Sequence, residues 1–532
     1  MNASSPTAPA FNLLDTPWLP VRILGGQVTE LGLLKLFEQA SQIEGLIESS
    51  PPNLVALHRL LLAIAHRALT RSLGTWTDRD RARWYREGLP TDALVDYLHH
   101  WRERFWLFHP EHPFMQVAAL ATAEETRDKL KPWTQIALDS ANGNTPVVFD
   151  HAVDTEPMEV CASVAVRSLL GFLQFTPGGL VQVFRSADKA GPLADTAAVI
   201  PVGSSLTEAL ALGLHPATDT ADDSPPWERG LTTLAHLRAD PTLARGICDR
   251  YTRLSRAVLL MPHTTAQSVS VRWLRFGAGL ALAEDPSAPD PMASFRAGSN
   301  GLVRMTFHEG RAIWRDLGAL LPDSTGIHAQ PAAIVSWASN LHDARGEWDV
   351  AVPVLVAGLC SKKAKLVRWR SEHYALPSSA LRSADVATAL RSELKWAEEL
   401  YYTVRGVASE MLAKAMPDSS SKDTRSRARA MLHAGPFPPA YFSKVEYNLP
   451  AMLDSVARND LDMAHALWAA ALVGASQSAW DAARGMLGQS AAALRAEATS
   501  YGKFQFAIKD FRMVAASGQT ATMSAVPQEG SN

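Results

Sequence analysis

Residues 350–370 read VAVPVLVAGLCSKKAKLVRWR. The first ten, VAVPVLVAGL, are apolar and rich in β-branched residues; the last six, KLVRWR, alternate, and the intervening CSKKA is short and polar. This pattern predicts a β-hairpin whose tip is Ser361–Lys362–Lys363–Ala364. On the return strand Lys365, Val367 and Trp369 share one face and Leu366, Arg368 and Arg370 the other, since side chains alternate across a strand. Neither face is cleanly apolar, which is unusual for a strand packed only on a core. Five of the thirteen residues 358–370 are cationic, in a chain of formal net charge −3. Lysines on an exposed β-tip can simply protect an edge. The alternative is a cationic prong, with the Trp369 ring available for stacking, that touches a polyanion.

Upstream of the hairpin, strand-like and helix-like stretches mix. FNLLDTPWLPV is an extended, Pro-punctuated segment with Trp18 as a core anchor. Pro51 and Pro52 open a helix, because proline suits the first turn, and Leu54, Leu57, Leu61 and Ile64 fall on one of its faces. DALVDYLHHWRERFWLF predicts a second helix ending before His109-Pro110. Residues 121–160 are loop-like around ANGNTPVVFDH, where Asn and Gly favour a turn ahead of a short strand. Residues 161–174 are helical and run into FTPGGLVQVF, where Pro177-Gly178-Gly179 breaks the helix. SLTE at 205–208 is a capping box, and SVSVRWLRF at 268–276 alternates like a strand. PDPMASFR reads as a loop and EGRAIWRDLGALL as a helix.

Downstream the pattern is helical. Val386, Leu390, Leu394, Tyr401, Val404 and Met411 keep helical spacing, PDSSSKDTRSRARA interrupts, and three further helical stretches run to about Phe511. Four helices with short connections predict an antiparallel bundle. The fold class is therefore α+β: a mixed α/β domain over 1–380, a four-helix bundle over 381–515, and a disordered tail over 516–532.

Composition narrows the function classes. The chain has 532 residues, 47% hydrophobic and 20% charged, as expected of a soluble globular protein of more than one domain. No run approaches a membrane span and the N-terminus lacks a signal-peptide pattern, so a cytoplasmic protein is expected. Cys161, Cys248 and Cys360 lie far apart without a CxxC, which excludes a disulfide framework and argues against structural zinc. Residues 360–437 carry fourteen Lys/Arg against eight Asp/Glu, or +6, leaving −9 for the rest. Any nucleic-acid surface is thus local.

Enzymatic motifs are scarce: there is no GxSxG, Walker loop, HExxH or GxGxxG after a strand. Asp150-His151 with Asp154 resembles a metal-hydrolase pair, but no second HxxxD cluster supports it and a structural histidine beside a capping aspartate is the favoured reading. HPEHP at 109–113 is a turn. Asp222-Asp223 and Glu398-Glu399 read as solvated acidic faces. Gly178-Gly179 is either a helix C-cap or a loop that lets backbone approach a groove closely. Arg425, Arg427 and Arg429 fall in a loop.

Six blocks occur in order: FNLLDTPWLPVR, RERFWLFHPEHPFMQV, NTPVVFDH, PPWERG, PDPMASFR and EGRAIWRDLGALL. Together they resemble the CasA family, the large subunit of the type I-E CRISPR surveillance complex (Cascade), over residues 11–510. The resemblance implies a mixed N-terminal domain followed by a four-helix bundle, no catalysis and no cofactor. It implies as partners the other Cascade subunits, the 5′ handle of the guide RNA, target double-stranded DNA and a helicase-nuclease that docks on the subunit, with no membrane. By that resemblance the anchoring loop near the RNA handle is SANGNTPVVFDH, with Asn142, Asn144 and Phe149. The glycine loop facing the protospacer-adjacent motif is Pro177-Gly178-Gly179. The wedge that starts strand separation is Ser361-Lys362-Lys363, with Lys363 where relatives carry glutamine and Lys365, Arg368 and Arg370 supporting it. The family's minor-groove lysine corresponds to Arg296 or Lys363. The cysteine pairs that bind zinc in some members are missing, so no metal is expected. A metal-dependent hydrolase using Asp150 and His151, and a scaffold binding only proteins, stand as the competing readings.

Overall fold

The computed structural model describes residues 8–139, 157–179, 181–185, 190–217, 222–265, 268–347, 350–362 and 365–524, with backbone alone at 361–362, 365–367 and 518–524. The chain divides into two compact units. The first comprises Met1–Ile313, Ala329–Glu347 and Val352–Tyr374; the second comprises Trp314–His328, Trp348–Ala351 and Ala375–Asn532.

The first unit is built around the helix Pro51–Leu73, which opens on its two prolines. Leu57, Leu61 and Ile64 are buried, as their spacing requires, but so are Val55, Leu60, Leu62 and Ala65. A helix apolar on nearly all sides belongs in a core. Against it lies the helix Ala162–Phe175. A side chain at Gly171 would place its Cβ 2.1 Å from Asn53 Oδ1, so only glycine permits that approach.

Paired buried charges lock this core. Arg59 and Asp290 have side chains 0% and 1% exposed, with 2.7 Å between nitrogen and oxygen. The Arg59 guanidinium also covers the Tyr251 ring at 4.4 Å, and Asp290 accepts from Met292 N–H. PDPMASFR is thus partly structural: its aspartate is a core counter-ion, and Phe295 and Arg296 lie in a short strand rather than a loop. Arg81 donates to the carbonyls of Ala211, Leu212 and Trp337, a cation at the C-terminus of the helix Leu206–Gly213, where the helix dipole favours it. Asp223, expected in solvent, is buried instead. It accepts from the backbone of Cys248 and Asp249, capping the helix Ile247–Tyr251, which starts at Gly246 and has no side chain there to do so.

The second predicted helix is shorter than its pattern. It spans Thr91–His100, and Trp106–Phe108 forms a strand paired with Ala10–Asn12. The alternating aromatics of RERFWLF serve strand pairing once a backbone partner is present. EGRAIWRDLGALL contributes a 3-10 helix, Ile313–Leu320.

The hairpin forms from Ala351–Lys362 and Lys365–Pro377. Its first strand is the middle of a three-stranded sheet, with the return strand on one side and the fully buried Ala197–Pro201 on the other. Pairing with that neighbour runs only from Val354 to Gly358. A Cβ at Gly358 would lie 2.3 Å from Thr196 O, so glycine sets how closely the two strands meet. Four residues, 359–362, continue beyond this partner, but Leu359 and Cys360 are buried and Cys360 forms a parallel bridge to Phe307. Among the described residues, only 361–362 of the first strand run beyond its pairing on that side.

The second unit is a bundle of four long helices, Ala384–Ala415, Phe437–Ala457, Leu461–Gly485 and Ala491–Ala507. Val386, Leu390, Leu394, Tyr401, Val404 and Met411 are buried. Tyr441 Oη donates to Ala397 O at 2.8 Å, and Trp480 stacks on Phe504 at 4.6 Å. Two expectations are corrected. Arg425, Arg427 and Arg429 lie in a helix, Lys422–Ala434, not in a loop. Its apolar stripe, Thr424, Ala428 and Leu432, recurs every four residues beneath the charges, and Ser421 caps it. The tail expected to be disordered from 516 is helical to Ser524, as the end of the helix Lys509–Ser524; residues 525–532 lie outside the described residues. Glu398, read as solvated, is held by the Arg315 guanidinium.

The first unit's core has two measurable consequences. Asp290→Ala leaves Arg59 buried without a counter-ion and should cost about 3–5 kcal/mol in chemical denaturation; a loss under about 1 kcal/mol would show the pair to be dispensable. His66 is buried and stacked on His215 at 3.9 Å. Burial, with the Arg67 charge second, lowers its pKa to about 4 from 6.5. The unfolded chain therefore takes up the proton first, so stability is full above pH 6.5 and falls towards pH 4, by roughly 3 kcal/mol for this group. His66→Phe should flatten that part of the melting temperature's pH profile.

Candidate nucleic-acid interface

Trp369 is the junction of the candidate site. Its indole N–H donates to Leu138 O at 3.0 Å. Its ring meets Phe175 edge-on, centroids 5.4 Å apart and planes at 87°. Leu138 lies two residues before 140–156, where the anchoring loop is expected and which lies outside the described residues, and Phe175 two residues before Pro177-Gly178-Gly179. One residue of the return strand thus joins the roots of the other two stretches singled out in the sequence. Trp369 is half-buried and engaged, so its ring is a pin, not the free stacking surface expected of it.

Arg370 is likewise drawn inward. It donates to Arg311 O at 2.8 Å and His308 O at 3.3 Å, lies over the Phe307 ring at 5.2 Å, and pairs with Glu372. Glu372 also accepts from Ile313 N–H at 2.8 Å and Tyr374 Oη. These bonds clamp the base of the hairpin to 307–313. Above the clamp Arg368 is exposed. Ser361, Lys362 and Lys365 follow on the strands towards the tip, and Lys363 lies outside the described residues.

Gly178 and Gly179 are exposed, and a Cβ at Gly179 would meet nothing within 4 Å. The helix ends at Phe175 with Thr176 as its cap, so neither glycine is needed to cap it. Arg296 is half-buried on a separate three-stranded sheet, opposite Val303 and Ala329. Asn142, Asn144, Phe149, Asp150, His151 and Asp154 lie outside the described residues. In HPEHP, His109 Nδ1 accepts from the backbone of Glu111 and His112, a turn-forming role. Among the described residues no three His, Cys, Asp or Glu side chains gather as metal ligands, and no helix is long and apolar enough to cross a membrane.

Two arginines were not singled out from the sequence. Arg256 is buried and reaches Pro177 O, at the start of the glycine loop, at 3.5 Å. Arg185 donates to Gly279 O at 2.9 Å. No local motif marks either; the fold brings Arg256 to the loop's start and Arg185 beside Arg256.

The chain matches the family described as CRISPR-associated protein Cse1 over residues 12–479. A Thermus thermophilus protein described as CRISPR-associated protein CasA/Cse1 is 33% identical over 505 residues, 93% of this chain and 96% of its own length. A crystal structure of Thermus thermophilus CasA matches with a TM-score of 0.78 at 32% identity, covering 94% of this chain and 99% of that one. A chain from a structure described as a CRISPR RNA-guided surveillance complex shares the fold, with a TM-score of 0.69 at 21% identity over 90% of this chain and all of its own. On a family match spanning most of its length and a relative at one-third identity, the chain belongs to the CRISPR-associated protein Cse1 (CasA) family.

Proposed function

We propose that the chain is the non-catalytic large subunit of a CRISPR RNA-guided surveillance complex, acting in the cytoplasm, and that its basic hairpin opens target DNA. The observation that carries this reading is the junction at Trp369, where the hairpin meets the roots of the glycine loop and of the 140–156 segment. A relative of the same fold belonging to an RNA-guided surveillance complex supports the assembly part of it.

The division of labour follows from physical chemistry. Gly178 and Gly179 offer backbone without side chains to the minor groove, whose acceptor pattern is degenerate, so the motif read is short and permissive. Arg296 or Lys363 adds a cation there. Ser361, Lys362 and Lys363 then enter between base pairs. Unstacking a step costs a few kcal/mol, offset by phosphate contacts from Lys365 and Arg368 and by the growing RNA–DNA hybrid. Asn142, Asn144 and Phe149 hold the subunit at the guide's 5′ handle, and the helical bundle offers the helicase-nuclease its platform. Arg370 acts from below, stiffening the prong rather than touching DNA.

The test uses the reconstituted complex and a target duplex carrying 2-aminopurine beside the motif. Lys362→Ala with Lys363→Ala should slow the fluorescence rise by about ten-fold and weaken motif-dependent binding, with assembly on guide RNA intact. Opening at the parent rate would refute the wedge.

A further inference from the structure

The buried arginines of the first unit separate into two kinds. Arg59, Arg81 and Arg253 each face a carboxylate, from Asp290, Asp78 and Asp249. Arg256 does not. It is 2% exposed, and among the described residues its guanidinium donates only to carbonyls, Ser255 O at 3.3 Å and Pro177 O at 3.5 Å. Its charged neighbour is another cation, Arg185; burial and then that charge lower the Arg256 pKa to about 10. Arg185 Nε is itself buried without a hydrogen-bond partner. Burying one cation beside another is unfavourable unless an anion completes the group.

The frame holding the two is fixed, and at a cost. Arg256 lies opposite Ala278 in the sheet, and Ala278 N–H donates to Val183 O at 3.2 Å. Phe184, next to Arg185, takes φ +75°, a strained conformation for an aromatic residue. Its ring fills the space over Gly277, where a Cβ would come within 2.5 Å of it. The segment is therefore clamped with Arg185 beside Arg256, which reaches Pro177 O at the start of the solvent-open Pro177–Gly179 loop.

We propose that Arg185, backed by Arg256, forms a phosphate seat by the start of the glycine loop, and that its ligand is a backbone phosphodiester of duplex DNA. The half-exposed Arg185 makes the contact; Arg256, shielded from water, adds positive potential without competing for the oxygen atoms. The seat rests on the arginines' own geometry, and its assignment to duplex DNA rests on the proposed function. A phosphate fixed here holds the duplex in register while the tip, on a different element, enters it.

The full-length chain is titrated into a fluorescent 30-base-pair duplex across about 50–200 mM salt. Arg185→Gln should weaken binding about three- to ten-fold and reduce the slope of log affinity against log salt by about one, the signature of one lost phosphate contact. Arg185→Lys should keep most of the slope. Arg256→Met, which strands no carboxylate, should weaken binding while leaving the melting temperature unchanged or raised. An unchanged affinity and slope in Arg185→Gln overturns the seat. Loss of binding to single-stranded RNA with duplex binding intact, or no measurable duplex binding by the parent at the lowest salt, overturns the DNA assignment. Normal opening by the Lys362→Ala, Lys363→Ala variant together with a lost slope unit in Arg185→Gln would reject the wedge and keep the seat.

Discussion

A single indole sets the geometry on which the candidate interface depends. Trp369 stands in the return strand, yet its N–H goes to Leu138 and its ring to Phe175. Half-buried aromatics combine apolar contact area with one directional bond, so they fix orientation as well as position. Here that fixes three chain segments relative to one another: the hairpin, the exit of the helix Ala162–Phe175, and the stretch around Leu138. If the ring were free to stack on bases, as the sequence suggested, those segments would have no common anchor.

Charge is distributed by the same logic. Several cations that build the frame have carboxylates, Arg59 with Asp290, Arg67 with Glu228, Arg229 and Arg253 with Asp249, while Arg250 and Arg275 donate to carbonyl oxygens. A buried pair of this kind contributes little beyond a well-packed apolar pair, but removing one partner is costly, so these acids are committed to the fold. The candidate site draws on other cations, Arg368 on the prong and Arg185 and Arg256 by the start of the glycine loop. A chain of net charge −3 can therefore present a basic surface without being a basic protein. Composition records the sum; the pairing pattern decides where the potential is positive.

How much of this the sequence revealed depends on the range of each interaction. The hairpin was legible because alternation and a short polar tip are local signals, and the central helix was legible through Pro51 and Pro52. The ordered blocks identified the family. What escaped were partnerships across long separations: Trp369 and Leu138 are 231 positions apart, Arg59 and Asp290 equally so. Asp223 resembled a solvent acid because the helix it caps begins more than twenty residues later. The helix Lys422–Ala434 was hidden differently. Its three buried positions are separated by charged and small residues whose density signals a loop, although the four-residue interval was present throughout.

The contrast between root and tip bears on how such a prong could work. A duplex resists opening by a few kcal/mol per unstacked step, and an inserted element must transmit that load without bending. At the root, Arg370, Glu372, Tyr374 and the 307–313 backbone form a closed set of hydrogen bonds, with Trp369 adding a second anchor. Towards the tip the strand has passed the end of Ala197–Pro201, and Arg368 reaches solvent. A stiff base under a cationic end is what mechanical insertion into a polyanion requires. Were the order reversed, with a free base and a paired tip, the same residues could bind phosphate but not separate strands.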